Sequence, residues 1–169
     1  ATNLKPRDLF DHDAQVPRIL TTATIDGVER DIVIASGKLG RVVALDRGTG
    51  EILWDTAVGE HQNDELTELP MGEAVTVLPG VYGGVETPMA YANGVLYVPI
   101  IDMPTPFEAT GFGAETGGEA VANAEGRNDI MGGTSSMVAI DVDTGEIMWD
   151  TELGSPPIFG GATLINDVV

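Results

Sequence analysis

The sequence has no cysteine and only two lysines, Lys5 and Lys38, among its 169 residues. Without cysteine there can be no disulfide bridge and no thiolate metal site, and the redox compartment stays open. There are 8 Lys plus Arg against 27 Asp plus Glu, so the formal net charge is −19. Nucleic acids and anionic membrane surfaces are bound chiefly through lysine and arginine. The charge balance therefore argues against both as partners.

Long apolar runs are also missing from the chain. No stretch approaches the roughly 20 residues that span a bilayer, and the first ten residues, ATNLKPRDLF, lack the basic and then apolar regions of a signal peptide. The hydrophobic fraction is nonetheless 43%, which is too high for a disordered acidic tail. We therefore expect a soluble chain with a buried core and no membrane insertion by this segment.

The acidic excess and the scarcity of lysine have two open explanations. One is life in high salt, where dissolved ions screen the self-repulsion of an acidic surface. The other is an acidic protein from an organism with a high-GC genome. Composition alone does not separate them.

An internal repeat with an offset of 95 residues is the strongest feature of the sequence. Residues 44–59 read ALDRGTGEILWDTAVG, and residues 139–154 read AIDVDTGEIMWDTELG; ten positions are identical. The identical positions include an aspartate and a tryptophan, which are Asp46 and Trp54 in the first copy and Asp141 and Trp149 in the second. Identity on this scale indicates a repeated structural unit.

Each copy predicts a strand, a tight turn and a second strand. Two apolar runs precede the first copy, so residues 15–59 predict four antiparallel strands, at 19–24, 31–36, 41–45 and 51–56. Residues 83–154 repeat the order, with strands at 87–91, 95–101, 137–140 and 146–151. An insertion at 103–134, which has no sustained hydrophobic periodicity, separates the second of these strands from the third. A third unit starts with expected strands at 162–165 and 168–169.

Four-stranded antiparallel units in tandem are typical of β-propeller blades. We therefore predict an all-β fold with no helix, made of an N-terminal loop (1–14), a blade (15–59), a connector (60–82), a second blade (83–154) and the start of another (155–169). A closed ring usually needs roughly four to eight blades. We expect the chain to be a segment of a larger propeller.

The pattern A-x-D-x-x-T-G-x-x-x-W, at residues 44–54 and 139–149, resembles the tryptophan-docking motif of the pyrroloquinoline quinone (PQQ) dehydrogenase superfamily. In that family the indole of one blade packs on the next blade, and its N–H donates to a backbone carbonyl. The resemblance implies an eight-bladed propeller and a docking role for four residues, which are Trp54, Trp149, Asp46 and Asp141. Non-catalytic relatives carry the same repeat, so the motif indicates architecture rather than chemistry.

Two further segments carry the chemical resemblance. RDLFDHD at residues 7–13 resembles the DxWDxD segment of quinoprotein glucose, methanol and ethanol dehydrogenases. GKLGRVVALDRGTGE, from residue 37, resembles the turn that brings a cation to the quinone. By this resemblance Asp11 is the catalytic base and Lys38 is the cofactor-binding cation. Oxidation of a hydroxyl by a quinone needs both a base and an electrophile at the carbonyl oxygen.

Asp13 stands two residues after Asp11, so an extended backbone would place both carboxylates on one side. A second aspartate at this spacing ligates the metal in lanthanide-dependent methanol dehydrogenases. The resemblance therefore implies PQQ together with Ca²⁺ or a lanthanide ion, with Asp13 as a candidate metal ligand.

The segment GGVETP at residues 83–88 departs from the family pattern, which tends to show GGxNW. Glu86 replaces the asparagine and Thr87 the tryptophan, so the usual quinone pocket is altered. Glu86 is either an extra metal ligand or a carboxylate at the blade edge. The family's principal metal ligands would lie upstream of residue 1, and we expect this segment alone to be inactive.

The function favoured by these patterns is the oxidation of an alcohol or sugar hydroxyl by the parent protein. Its partners would be the small substrate, an electron acceptor of unknown identity and the remaining blades. The alternative is a non-catalytic PQQ-repeat propeller that acts as an interaction scaffold. Both functions imply an extracytoplasmic location, whether periplasmic, secreted or at the cell surface.

Overall fold

The computed structural model describes residues 2–109, 121–122, 132–166 and 168–169. These residues form strands and contain no helix. The strands are β1 (Ile19–Ile25), β2 (Val28–Ser36), β3 (Arg41–Asp46), β4 (Ile52–Ala57), β5 (Val75–Val77), β6 (Ala90–Ala92), β7 (Val95–Asp102), β8 (Thr105–Glu108), β9 (Val121–Ala122), β10 (Thr134–Asp141) and β11 (Ile147–Gly154). In the described part of the chain, no helix is long and apolar enough to cross a membrane.

Two four-stranded antiparallel sheets account for most of the structure. The first sheet has the order β1-β2-β3-β4, and the second has the order β6-β7-β10-β11 when read from β6. Short turns join the neighbouring strands of the first sheet, and in the second sheet they join β6 to β7 and β10 to β11. The long insertion separates β7 from β10 in the chain, but the two strands pair directly. Asp26-Gly27 and Asn93-Gly94 form two of these turns, with φ positive at both residues of each pair. The predicted all-β fold with four-stranded antiparallel sheets is confirmed.

The turn between β3 and β4 explains why Asp, Thr and Gly recur in the repeat. Asp46 Oδ1 accepts hydrogen bonds from the backbone N–H groups of Gly48 and Thr49, both at 2.9 Å. The Thr49 hydroxyl oxygen accepts from Glu51 N at 3.2 Å, and Gly50 has a φ of +76°. The bonds from Thr49 hold the pKa of Asp46 below its usual value. Asp141 makes the same backbone contacts in the second sheet.

The main core lies between the two sheets, where the apolar face of one packs on that of the other. Each fully buried aliphatic side chain stabilises such a core by about 1.5–3 kcal/mol. The buried residues of the facing strands include Ile32, Ile34, Val42 and Ala44 from the first sheet, and Leu96, Val98, Val138 and Ile140 from the second. This packing fixes the two sheets relative to one another.

Trp54 closes the outer part of this interface. Its indole Nε1–H donates to the backbone oxygen of Val142 at 3.0 Å. A Cβ placed on Gly145 would lie 2.7 Å from the Trp54 ring, so the ring rests directly on that glycine. The Thr56 hydroxyl donates to Gly145 O at 2.6 Å. The β10–β11 turn is thus bonded to β4 of the preceding sheet.

Gly145→Ala tests this contact, because the added methyl group would overlap the indole. We expect it to lower the unfolding free energy by about 2 kcal/mol more than Gly94→Ala. Gly94 is a matched control, since its φ is also positive, +81° against +75°, but nothing lies within 4 Å of its Cβ position. Urea unfolding of both variants measures the difference, and equal losses would show that the ring contact contributes nothing.

Trp149 holds the same place in the second copy of the repeat, but its surroundings differ. Its ring lies 6.1 Å from the ring of Tyr97, and the residue is 41% exposed. Trp54 therefore shows the docked arrangement of the repeat, and the docking of Trp149 stays a prediction.

A third, smaller sheet was not expected from the sequence. It has the order β5-β8-β9 and joins the connector 60–82 to the insertion 103–134, both of which the sequence left without strands. β8 could not be predicted, because Pro104 precedes it and Pro106 lies within it, and proline usually argues against an interior strand. A separate apolar cluster lies beside this sheet, with Phe10, Val77 and Phe107 buried at its centre. Residues 110–120 and 123–131 of the insertion lie outside the described part.

Two expected strands differ from the structure. The strand expected at 87–91 begins only at Ala90, because Thr87 and Pro88 bond instead to the C-terminal segment. The Thr87 hydroxyl donates to Gly160 O at 3.1 Å, and Pro88 O accepts from Ala162 N at 3.0 Å. The strand expected at 162–165 is absent from the described residues, where only an isolated bridge joins Ile165 to Val168.

Asp102, at the end of β7, gives the fold a predicted pH dependence. Its Oδ1 accepts from Glu60 N at 2.7 Å, but burial dominates and raises the pKa of Asp102. Because the pKa of Asp102 is raised in the folded state, its protonated form stabilises the fold. This contribution is full in acid and is lost as the pH rises through the folded pKa. We expect Asp102→Asn, which keeps the acceptor oxygen, to be the more stable protein near neutral pH and to lose that advantage in acid. Urea unfolding over a pH series measures this, and a difference independent of pH would contradict it.

Candidate active site

The Gly37–Gly40 turn, which joins the inner strands β2 and β3, carries Lys38 at one end of the first sheet. Gly40 N donates to Gly37 O at 3.1 Å to close the turn. The turn is held against the segment before β6, where Val85 N donates to Gly37 O at 3.0 Å. Gly84 has a φ of +82°, and a Cβ there would lie 2.7 Å from Lys38 O. Glycine at this position lets the two backbones approach and fixes the base of Lys38.

Asp11 is presented by a tight turn in the N-terminal loop. Asp8 accepts from the N–H groups of Phe10 and His12 through its two carboxylate oxygens, at 3.1 and 2.5 Å. Asp13 N donates to Asp11 O at 3.0 Å, and Asp11 has a φ of +62°. The backbone is therefore not extended here. An extended backbone was the condition under which the carboxylates of Asp11 and Asp13 would lie on one side.

The structure nevertheless brings Asp11, Asp13 and Lys38 together. Lys38 Nζ lies 2.5 Å from Asp11 Oδ2 and 3.9 Å from Asp13 Oδ2. The lysine side chain is only 12% exposed, whereas the Asp11 side chain is 73% exposed. The hydrogen bond from Lys38 is the main cause that lowers the pKa of Asp11. Asp11 is thus an ionised carboxylate that points into solvent at neutral pH.

Glu86 joins the same group through Gln15. Gln15 Oε1 accepts from Lys38 N at 3.1 Å, and its Nε2 donates to Glu86 Oε2 at 3.0 Å. Burial raises the pKa of Glu86, while the bond from Gln15 and the charge of Lys38 oppose the shift. The sequence did not indicate Gln15, because an uncharged amide in a loop carries no pattern of its own.

A polar network behind the site was also missed. His12 Nε2–H donates to Pro79 O at 2.9 Å, and its Nδ1 lies 2.6 Å from Lys5 Nζ. Since the carbonyl and the ammonium fix one acceptor and one donor, this histidine is the neutral form. Burial and Lys5 both lower the pKa of His12. Lys5 Nζ also lies 3.7 Å from Asp64 Oδ2.

His61 extends this network to the lysine turn. Its Nδ1 lies 2.9 Å from Asp64 Oδ2, and its Nε2–H donates to Gly40 O at 2.9 Å. Gly40 ends the turn that carries Lys38, so the network reaches both sides of the Asp11–Lys38 pair. No sequence signal indicated this network, because its members lie far apart in the chain.

Comparison with known proteins identifies the family. The family model PQQ_2, described as outer membrane protein assembly factor BamB, matches residues 40–168, roughly three quarters of the chain. The chain belongs to this PQQ-repeat family. The resemblance to PQQ-repeat propellers drawn from the sequence is confirmed.

A curated relative of this PQQ-repeat chain is the "Putative dehydrogenase XoxF" of Paracoccus denitrificans, 26% identical over 196 residues. The match covers 98% of the chain and 32% of the relative. The chain therefore spans about a third of the length of that protein.

Three solved structures are similar to the PQQ-repeat chain. They are the quinohemoprotein alcohol dehydrogenase ADHIIG of Pseudomonas putida HK5 (TM-score 0.66, 20% identity, 85% of this chain and 25% of that chain), the quinohemoprotein alcohol dehydrogenase of Comamonas testosteroni (0.66, 19%, 87% and 26%) and a europium-containing methanol dehydrogenase (0.62, 21%, 90% and 30%). At these identities the likeness shows the fold. The two four-stranded sheets are propeller blades, as predicted.

Lys38 has a donor that could hold a quinone oxygen. The ammonium has three donors, and Asp11 takes one of them, so acceptor oxygens such as those of a quinone match its remaining capacity. For a metal, the described residues contain no group of three or more His, Cys, Asp or Glu placed to bind one. Asp13 and Glu86 could contribute to such a site only together with ligands from elsewhere.

Proposed function

We propose that this chain is part of a PQQ-dependent dehydrogenase that oxidises a hydroxyl group of a small alcohol or sugar. The observation that carries the proposal is the Lys38–Asp11 pair, with an ammonium and a solvent-facing carboxylate 2.5 Å apart at one edge of the propeller blades. The curated relative named as a putative dehydrogenase supports an oxidoreductase. The solved structures that share the fold are named as alcohol and methanol dehydrogenases.

Asp11 is the proposed acceptor for the hydroxyl proton of the substrate. In the free site its pKa is lowered because Lys38 stabilises the ionised form, which makes it a weak base. If the ammonium turns towards a quinone oxygen, Asp11 loses its strongest hydrogen bond and its pKa rises. Lys38 would thus couple cofactor binding to the strength of the base.

Bound PQQ would supply the two-electron acceptor for this oxidation. Asp11 would take the O–H proton of the substrate, and the quinone, when bound, would supply the acceptor for the hydride equivalent from its carbon. Lys38 holds positive charge where negative charge develops. Glu86 is half-buried beside Gln15, and burial disfavours its ionised form, so Glu86 adds less negative charge to the site than an exposed carboxylate would.

Asp13 is the proposed metal ligand on this chain, with Ca²⁺ or a lanthanide ion as the metal, and Glu86 is a weaker candidate. The remaining ligands would come from other parts of the parent protein. The proposed surroundings are extracytoplasmic, and the proposed partners are the other blades and an electron acceptor still to be identified.

The test is a PQQ titration of the full-length protein with Ca²⁺ and with La³⁺, followed by tryptophan fluorescence and by dye-linked alcohol oxidation. We expect stoichiometric binding, and we expect Asp11→Asn to keep binding but lower kcat by about 10²- to 10⁴-fold. The matched control is Asp31→Asn, which removes the same charge from an exposed pair with Arg47 far from the site. Absence of PQQ binding with either ion would overturn the proposal.

A second candidate function is a non-catalytic propeller that binds other proteins. It is favoured by the description of the matching family model as an assembly factor, and by Glu86 and Thr87 in place of the asparagine and tryptophan of the dehydrogenase pattern. It predicts that the full-length protein binds no PQQ and that Asp11→Asn has no effect on any oxidation.

A further inference from the structure

The two residues that flank Asp11 are among the most buried in the N-terminal loop. Phe10 is 1% exposed and His12 is 4% exposed, whereas the Asp11 carboxylate between them lies in solvent. The two rings lie 5.5 Å apart on the same side of the loop. The Asp11 side chain is directed instead towards Lys38, whose Nζ lies 2.5 Å from its Oδ2.

The aromatic anchor of Phe10 comes from the insertion. Phe107, on β8, packs edge-on against Phe10 with ring centroids 4.8 Å apart. Such aromatic pairs add about 0.5–1.5 kcal/mol to the apolar area that they bury. Val77, on the neighbouring strand β5, completes the buried centre of this cluster. Phe10 is therefore held by the small sheet β5-β8-β9 and not by the main core between the blades.

His12 is anchored to the same part of the chain by a hydrogen bond. Its Nε2–H donates to Pro79 O, two residues after the end of β5. The segment then continues through Gly80, whose N–H donates to Met103 O just before β8. One side chain on each side of Asp11 is thus fixed to the connector and the stem of the insertion.

We propose that the small sheet is a platform that positions Asp11: Phe107 holds Phe10, Pro79 holds His12, and together they keep the carboxylate on Lys38. Phe10, His12 and Phe107 are positioning residues, since the groups that face the Lys38 ammonium are the carboxylates of Asp11 and Asp13. The catalytic consequence rests on the proposed function, but the effect on the Asp11–Lys38 bond does not.

The bond can be followed directly by ¹⁵N NMR of the lysine ammonium groups in the full-length protein labelled with ¹⁵N-lysine. The Lys38 signal is assigned as the one lost in Lys38→Arg. The signal for the broken bond is defined by Asp11→Asn, which removes the charged acceptor. Neither measurement requires PQQ or a metal ion.

Phe107→Leu is the main variant, because it keeps an apolar side chain in the cluster but removes the edge-on ring. We expect the Lys38 signal to move most of the way to its position in Asp11→Asn. The matched control is Ile32→Val, a fully buried position in the main core, which should lower the melting temperature and leave the Lys38 signal unchanged. An unchanged signal in folded Phe107→Leu would overturn the proposal.

His12 provides an independent second test through a rescue. His12→Ala removes the donor to Pro79 O and should also shift the Lys38 signal, whereas His12→Gln, whose amide can donate to the same carbonyl, should restore it. Equal shifts in both variants would contradict a role for this hydrogen bond. If PQQ fails to bind but these signals behave as expected, the dehydrogenase proposal fails and the positioning platform stands.

If the full-length protein oxidises alcohols with PQQ, Phe107→Leu should lower kcat about tenfold or more with little change in KM for the alcohol. A loss confined to KM would mean that the platform shapes the substrate pocket and does not position Asp11, and it would overturn the catalytic part of the proposal.

Discussion

Replacing Lys38 by methionine is expected to lower the kcat of PQQ-dependent alcohol oxidation by the full-length protein about 10²- to 10³-fold. The variant removes the donor that would polarise the quinone oxygen. It also leaves Asp11, Asp13 and Glu86 without the ammonium that now faces them. The pKa of Asp11 should rise in this variant, because its main stabilising hydrogen bond is gone. Steady-state kinetics and PQQ titration measure the two effects separately.

Two further variants make this prediction specific. Lys38→Arg keeps the cation and should retain PQQ binding with a smaller loss of kcat. Arg47→Met removes one positive charge, as Lys38→Met does, but at an exposed pair with Asp31. This pair lies at the end of β2 and β3 that is opposite to the Lys38 turn. It should leave kcat unchanged. A loss of equal size in Arg47→Met would trace the effect to net charge rather than to the site.

Trp54→Ala is expected to lower the unfolding free energy by about 3 kcal/mol. The indole covers Gly145 of the next blade and donates to Val142 O at 3.0 Å. The substitution would open a cavity between the blades and leave that carbonyl without its donor. Urea unfolding followed by circular dichroism measures the loss, because it does not depend on the tryptophan signal.

Trp54→Phe separates the two contributions. It keeps an aromatic ring on Gly145 and removes only the N–H, so we expect a loss of about 1 kcal/mol. If Trp54→Phe costs as much as Trp54→Ala, the hydrogen bond to Val142 carries the contact and the packing does not. If neither variant changes stability, the indole has no role in joining the blades.

The regular parts of the fold could be predicted because their signals are local. Alternating apolar residues and turn pairs such as Asn93-Gly94 specify a hairpin whatever surrounds it. The Asp46 turn works in the same way, since the bonds from Gly48 N and Thr49 N to Asp46 and from Glu51 N to Thr49 lie within six residues. The strands of the small sheet could not be found, because β5 and β8 are short, β8 contains Pro106, and each is stabilised by a partner about 30 residues away.

The candidate site was predictable only in its charged members. Asp11 and Lys38 were found through a resemblance of short motifs 27 residues apart, and the structure places them in contact. Gln15 and His61 were not found, because their roles depend on which backbone and side-chain atoms the fold brings near them. An extended backbone, under which Asp11 and Asp13 would share one side, is not what the structure shows, because Asp8 accepts from the N–H groups of Phe10 and His12 and closes a turn there.

The sequence by itself determined that this chain is an all-β repeat of propeller blades, because hairpins, Asx turns and apolar alternation are encoded within a few residues. Only the tertiary structure decided that the Trp54 indole rests on Gly145 and donates to Val142 O, since that depends on which distant residues the fold packs against it. It also decided that the insertion supplies Phe107 to the N-terminal loop. Contacts between distant segments are fixed by the packing of the whole chain, and no local pattern records them.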